Sequence, residues 1–133
     1  MTRFALTGTV LDSPDPKGLA LFYQRLLGWP LGSDEPEWVT LRPADGGAGL
    51  SFQHEPDHVP PVWPAGDGDP RMQLHLDIEV DDLAAAVRVA VAAGARVAEF
   101  QPQDDVRVCL DPAGHPFCLW VRENPVEGAA AHP

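Results

Sequence analysis

Two stretches of this chain start and stop a helix in the same way, 66 residues apart (81 − 15 = 66; 94 − 28 = 66). Asp15 precedes Pro16 and a periodic apolar run that ends at Gly28; Asp81 precedes a second such run that ends at Gly94. An aspartate before a helix accepts a hydrogen bond from the unpaired N–H groups of its first turn, and proline suits the first helical position. A glycine after the last turn readily takes the left-handed conformation that ends a helix. Leu19, Phe22, Tyr23, Leu26 and Leu27 share one face of the first run, and Leu83, Ala86, Val87, Ala90 and Val91 share one face of the second. Each helix is preceded by one strand-like stretch and followed by three. A single unit of this size buries its sheet face poorly, so two units should pair. The expected fold class is α+β: two βαβββ modules, 4–56 and 71–122, forming a curved mixed sheet of half-barrels with the helices on its outer face. Together they make one domain over 1–122, with a linker at 57–70 and a flexible tail at 123–133.

The expected strands cover 4–11, 29–32, 38–41 and 49–53 in the first module, and 72–80, 96–100, 106–110 and 117–121 in the second. Residues 55–70 hold five prolines, so they form no long regular element; Trp63 is the expected anchor of this segment into a groove. Asp111-Pro112-Ala113-Gly114 has the residues of a type I turn, Asp first, Pro second and Gly last.

The run from Met72 to Asp82 alternates with period two. Leu74, Leu76, Ile78 and Val80 fall on one face, and His75, Asp77 and Glu79 on the other. Three ionisable groups in a row exceed what a purely structural strand needs. His75 is thus the first candidate, as a metal ligand, a general base or a hydrogen-bonding group in a pocket, with Asp77 able to orient it.

The formal net charge is −11 with only nine basic residues, which argues against nucleic acid and anionic membranes as partners. No apolar run approaches the roughly 20 residues needed to span a bilayer. The N-terminus lacks the apolar core of a signal peptide, so a cytoplasmic location is expected, with Cys109 and Cys118 as reduced thiols rather than a disulfide. His54-Glu55-Pro56-Asp57-His58 spells the zinc-protease pattern, but Pro56 prevents the helix that pattern requires. It is read as coincidence.

Phe22-Tyr23-Gln24-Arg25-Leu26-Leu27-Gly28-Trp29, Leu50-Ser51-Phe52-Gln53, the run His75 to Asp82, and Asp111-Pro112-Ala113-Gly114-His115-Pro116-Phe117 together resemble the glyoxalase / bleomycin-resistance / extradiol-dioxygenase superfamily, also called vicinal oxygen chelate. The resemblance runs over about residues 4–122 and is nearest to its glyoxalase-like domain branch. It implies a cup that holds a small molecule, and a homodimer. Members that bind a divalent metal ion take ligands from the first and last strands of each module, and the ion then holds two substrate oxygens.

Carried over to this chain, those ligand positions fall on Gly8 or Thr9, on Gln53, on His75 and on Cys118. An amide, one imidazole and a thiol do not suit a hard six-coordinate ion, so no metal is expected unless it rests on His75. The expected ligand-binding residues are Gln53, His75, Asp77 and Cys118, with Trp38, Trp63 and Trp120 as aromatic walls; tryptophan is equally ordinary core material. Cys118 is read as a small buried group rather than a nucleophile, Tyr23 as structural, and His115 as exposed. The function implied is a small-molecule-binding protein whose typical metal site is largely lost. The alternative is a metal-assisted lyase, isomerase or dioxygenase acting on a small oxygenated substrate, with His75 as its catalytic ligand or base.

Overall fold

In a computed structural model the described residues are 2–122; the expected tail at 123–133 lies outside them. The chain divides into two compact units, 1–58 and 59–133.

The first unit runs β1 (Gly8–Ser13), α1 (Pro16–Leu27), β2 (Leu31–Glu35), β3 (Trp38–Leu41) and β4 (Gly49–His54). The sheet order is β1-β4-β3-β2, with β1 parallel to β4 and the other pairs antiparallel. Asp15 caps α1 as expected, its carboxylate accepting from the Gly18 N–H at 3.0 Å, and Gly28 ends the helix at φ 73°. Leu11, Val39, Leu41, Leu50 and Phe52 are buried, and the register sets Leu11 and Val39 on either side of Phe52. Tyr23 of α1 stacks on Phe52 at 5.9 Å, so this is the face the helix covers. Alternation sends Val10, Asp12, Trp38, Thr40, Ser51 and Gln53 to the opposite face.

The second unit runs β5 (Leu76–Glu79), α2 (Leu83–Ala93), β6 (Arg96–Val97), β7 (Val106–Leu110) and β8 (Pro116–Trp120), with sheet order β5-β8-β7-β6. Again the outer pair β5 and β8 is parallel and the others antiparallel. The duplicated βαβββ plan is therefore present, as two four-stranded mixed sheets with one helix each. Among the described residues no helix is long and apolar enough to cross a membrane.

Several boundaries differ from the sequence expectation. The cap of α2 is Asp82, not Asp81: its carboxylate accepts from the Ala85 N–H at 3.0 Å. The Val80 N–H is still bonded to the Trp120 carbonyl, so the chain has not left the sheet until after that residue. The long strand expected from Met72 shortens to β5. Its partner β8 begins at Pro116, which has no N–H with which to continue the ladder. The strand expected over 96–100 keeps only Arg96 and Val97, because the Gln101 side chain takes over the pairing. Its Nε2 donates to the carbonyls of Ala98 (2.8 Å) and Val108 (2.9 Å), and its Oε1 accepts from the Val108 N–H at 3.0 Å. The turn at Asp111 forms as read: its Oδ1 accepts from the N–H groups of Ala113 and His115, each at 2.9 Å, and the Gly114 N–H reaches the Asp111 carbonyl.

Candidate functional site

The parallel outer strands of the two units carry matching cross-strand pairs. Asp12 lies beside Gln53 on β1 and β4; Asp77 lies beside Cys118 on β5 and β8. Both pairs are 41 residues apart (53 − 12 = 41; 118 − 77 = 41), and the helix caps Asp15 and Asp82 are 67 apart (82 − 15 = 67). His75 stands seven residues before its helix cap Asp82 (82 − 75 = 7), as Gly8 stands seven before Asp15 (15 − 8 = 7), so its counterpart by this count is Gly8, one of the two expected positions. The repeat is not rigid in sequence: the caps are 67 apart (82 − 15 = 67) and the helix-ending glycines 66 (94 − 28 = 66).

In the second unit His75, Asp77 and Cys118 converge, with one ligand-type atom from each all within 4.8 Å of one another. The His75 Nε2 is 3.1 Å from an Asp77 carboxylate oxygen, and the two side chains keep 25% and 32% of their exposure. Cys118 is buried. Its thiol donates to the same Asp77 carboxylate, and burial, the Asp77 charge, the neighbouring Cys109 and that hydrogen bond push its pKa up to about 11. Asp77 thus stands between the histidine and the thiol. An activated cysteine needs the histidine as its direct partner and a lowered pKa. Here the thiol's partner is a carboxylate and its pKa is raised.

Trp63 stacks on the His75 ring at 4.9 Å and 24°, and meets Phe100 edge-on at 5.6 Å. Both pack against Val106, Val108, Cys118 and Trp120. Trp63 anchors the proline-rich segment as expected, but onto an apolar cluster of its own unit. Trp120 is only 7% exposed within that cluster, so it is core material rather than an open wall. Phe100 was not anticipated; a lone aromatic beyond Gln101's ladder contacts carries no periodic signal.

In the first unit the Gln53 Nε2 donates to the Asp12 carboxylate at 3.1 Å, and both lie on the face away from α1. Trp38 pairs in register with Gln53 and is 36% exposed. Of the predicted residues, then, one unit brings together His75, Asp77, Cys118, Trp63 and Trp120, and the other Gln53 and Trp38. Asp12, which accepts from Gln53, was not among the predicted residues. The zinc-protease pattern is not helical: His54 closes β4 and the following residues form a turn.

The ligand positions that the resemblance implies are filled here by Gly8 or Thr9, Gln53, His75 and Cys118, a set with no carboxylate that does not suit a hard divalent ion.

Cys109 and Cys118 are both free thiols. Burial also raises Cys109 to about 11, against the lowering effect of Arg107. For an acid whose folded pKa exceeds its unfolded value, the stabilising contribution is complete below the unfolded value and is lost as pH rises toward the folded one. Stability should therefore be insensitive to these thiols up to about pH 9, the ordinary value, and fall between about 9 and 11. Urea melts of wild type and a C109S/C118S double variant at pH 8 and pH 10 check this; equal slopes with pH in both proteins would contradict it.

Residues 8–120 match the family described as the glyoxalase-like domain, and the chain belongs to that family. Among solved structures it resembles a glyoxalase/bleomycin resistance protein/dioxygenase family enzyme from Burkholderia phytofirmans PsJN, at 20% identity and a TM-score of 0.68, covering 89% of this chain and 98% of that one. A glyoxalase-related enzyme from Fulvimarina pelagi is also 20% identical, with a TM-score of 0.63 and coverage of 95% and 91%. A glyoxalase/bleomycin resistance protein from Albidiferax ferrireducens T118 gives 16% identity and a TM-score of 0.60 over 88% and 98%. At these identities the likeness shows the fold. No curated protein matches.

Proposed function

We propose that this chain is a small-molecule-binding protein of the glyoxalase/bleomycin-resistance type, its ligand held by the second unit's sheet on the face turned away from α2. The observation that carries the reading is the composition of the second unit's face, where the polar group of His75, Asp77 and Cys118 adjoins the aromatic group of Trp63 and Phe100. A few convergent polar groups beside apolar walls is the ordinary make-up of a ligand site. The net charge of −11, and Asp77 on this face, favour a cationic, partly aromatic ligand, bleomycin-like molecules among them. The reading goes with one glyoxalase-like domain over 1–122, a cytoplasmic location and a homodimer.

A second reading is a metal-assisted lyase, isomerase or dioxygenase. The observation favouring it is the 3.1 Å contact that orients His75 through Asp77, as a base or ligand would be oriented.

Titration of chelator-treated protein with metal-free bleomycin and a set of small cationic aromatics, followed by tryptophan fluorescence, tests the first reading. Saturable, metal-independent binding that weakens at least about tenfold (1.4 kcal/mol) in W63A or D77N is expected. Loss of all binding in chelator, with recovery on adding a divalent ion, would favour the second.

A further inference from the structure

The second unit has a hollow of about 680 Å³ at the open edge of its sheet, where the proline-rich segment comes against β6. Val62 and Trp63 of that segment, with Val97 and Phe100 of the sheet edge, supply apolar lining, and Arg96 and Glu99 are its charged groups. His75, Asp77 and Cys118 do not line it, although Trp63 borders both places. We infer that this hollow binds a small zwitterion of the amino-acid class with an aromatic or branched apolar body, its carboxylate on Arg96 and its ammonium group on Glu99.

The lining is apolar surface left to water. Val62 and Val97 keep 40% and 45% of their exposure, whereas Val106 and Val108 in the adjoining cluster keep 3% and 1%. Covering such surface is favourable in proportion to the area removed from water. The volume lies within the roughly 300–1,000 Å³ of small-molecule sites.

Strand register places the charges. Arg96 pairs with Leu110 across β6 and β7, and residues opposite each other share a face. Leu110 lies two and four residues from Val108 and Val106, which pack around Trp63, so Arg96 stands on the face that holds Trp63. Glu99 comes three residues later, just past Ala98, whose N–H bonds the Val108 carbonyl. Three residues span at most about 10 Å, so the two long side chains can bracket a compact molecule. Among the described residues neither side chain has an ion-pair or hydrogen-bond partner.

These charges select the ligand class. A simple carboxylate would meet Arg96 but also the repulsion of a chain with net charge −11, and a simple amine would meet Glu99 but be repelled by Arg96. A zwitterion has no net charge and engages both, its carboxylate taking the paired N–H groups of the guanidinium.

The test uses full-length, chelator-treated protein and para-fluorophenylalanine, followed by fluorine NMR. N-acetyl-para-fluorophenylalanine keeps only the carboxylate charge, and para-fluorophenethylamine only the ammonium. The amino acid should bind saturably and be displaced by phenylalanine. Both single-charge probes should bind at least about tenfold more weakly, the loss expected for one charge-assisted hydrogen bond. R96Q and E99Q, at exposed positions and so able to keep the fold, should each weaken the amino acid by at least about tenfold, and R96Q should not weaken the amine. Circular dichroism confirms that both variants are folded. Absence of saturable binding, a single-charge probe bound as tightly as the amino acid, or affinity unchanged in either variant would each overturn the inference. R96Q should leave the bleomycin titration as in wild type, so failure of that reading and failure of this one are read separately.

Discussion

Alanine at Gly49 should destabilise the chain by about 3 kcal/mol, the upper end of overpacking costs, although alanine is otherwise the better strand residue by roughly 0.5–1 kcal/mol. The new Cβ would overlap the Leu41 carbonyl oxygen on the neighbouring strand. The obstacle is backbone, so no side chain can rotate away. Relief requires opening β3 from β4, and Leu41 pairs with Leu50 at the start of that ladder. β4 also pairs with β1 through the residue beside it, Gly8 with Gly49, so the disturbance reaches both neighbours of the central strand. Urea denaturation gives the number; a G49A protein within about 1 kcal/mol of wild type would show that the strands separate more easily than this packing implies.

Three residues along the same strand, Phe52→Ala should cost about 3–5 kcal/mol, the range for removing a buried aromatic ring. Phe52 is fully buried, stacked under Tyr23, and flanked in register by Leu11 and Val39. Against a total stability of about 5–15 kcal/mol, that loss leaves a small margin. Gln53→Ala, one position on, should cost only about 0.5–1.5 kcal/mol, since the side chain is exposed and makes one hydrogen bond, to Asp12. The contrast tests the assignment of faces directly. Comparable losses at 52 and 53 would mean that alternation does not separate a structural face from an exposed face in β4.

Much of this was legible in the chain itself. Asp15 and Gly28 bound the first helix where the sequence placed them, and the Asp111 turn forms with its own carboxylate accepting two backbone N–H groups. These are local signals: a cap, a stop or a turn depends on a few adjacent residues, so its physics is written in their order. The gathering of His75 and Asp77 was legible for the same reason, since residues two apart on a strand share a face.

What depended on pairing was not. The shift of the α2 cap to Asp82, the end of β5 opposite Pro116, and the substitution of Gln101 for a strand are set by what the neighbouring strand can bond to. The same holds for the repeat. Helix signals suggested an offset of 66 at both ends, but the observed caps, Asp15 and Asp82, are 67 apart because α2 starts one residue later than read. By itself the sequence determined the elements, their order and the duplication, because these follow from short-range periodicity and capping. Only the tertiary structure decided that Cys118 joins His75 and Asp77, with Trp63 laid over the ring, because hydrogen bonds between strands bring together residues dozens of positions apart.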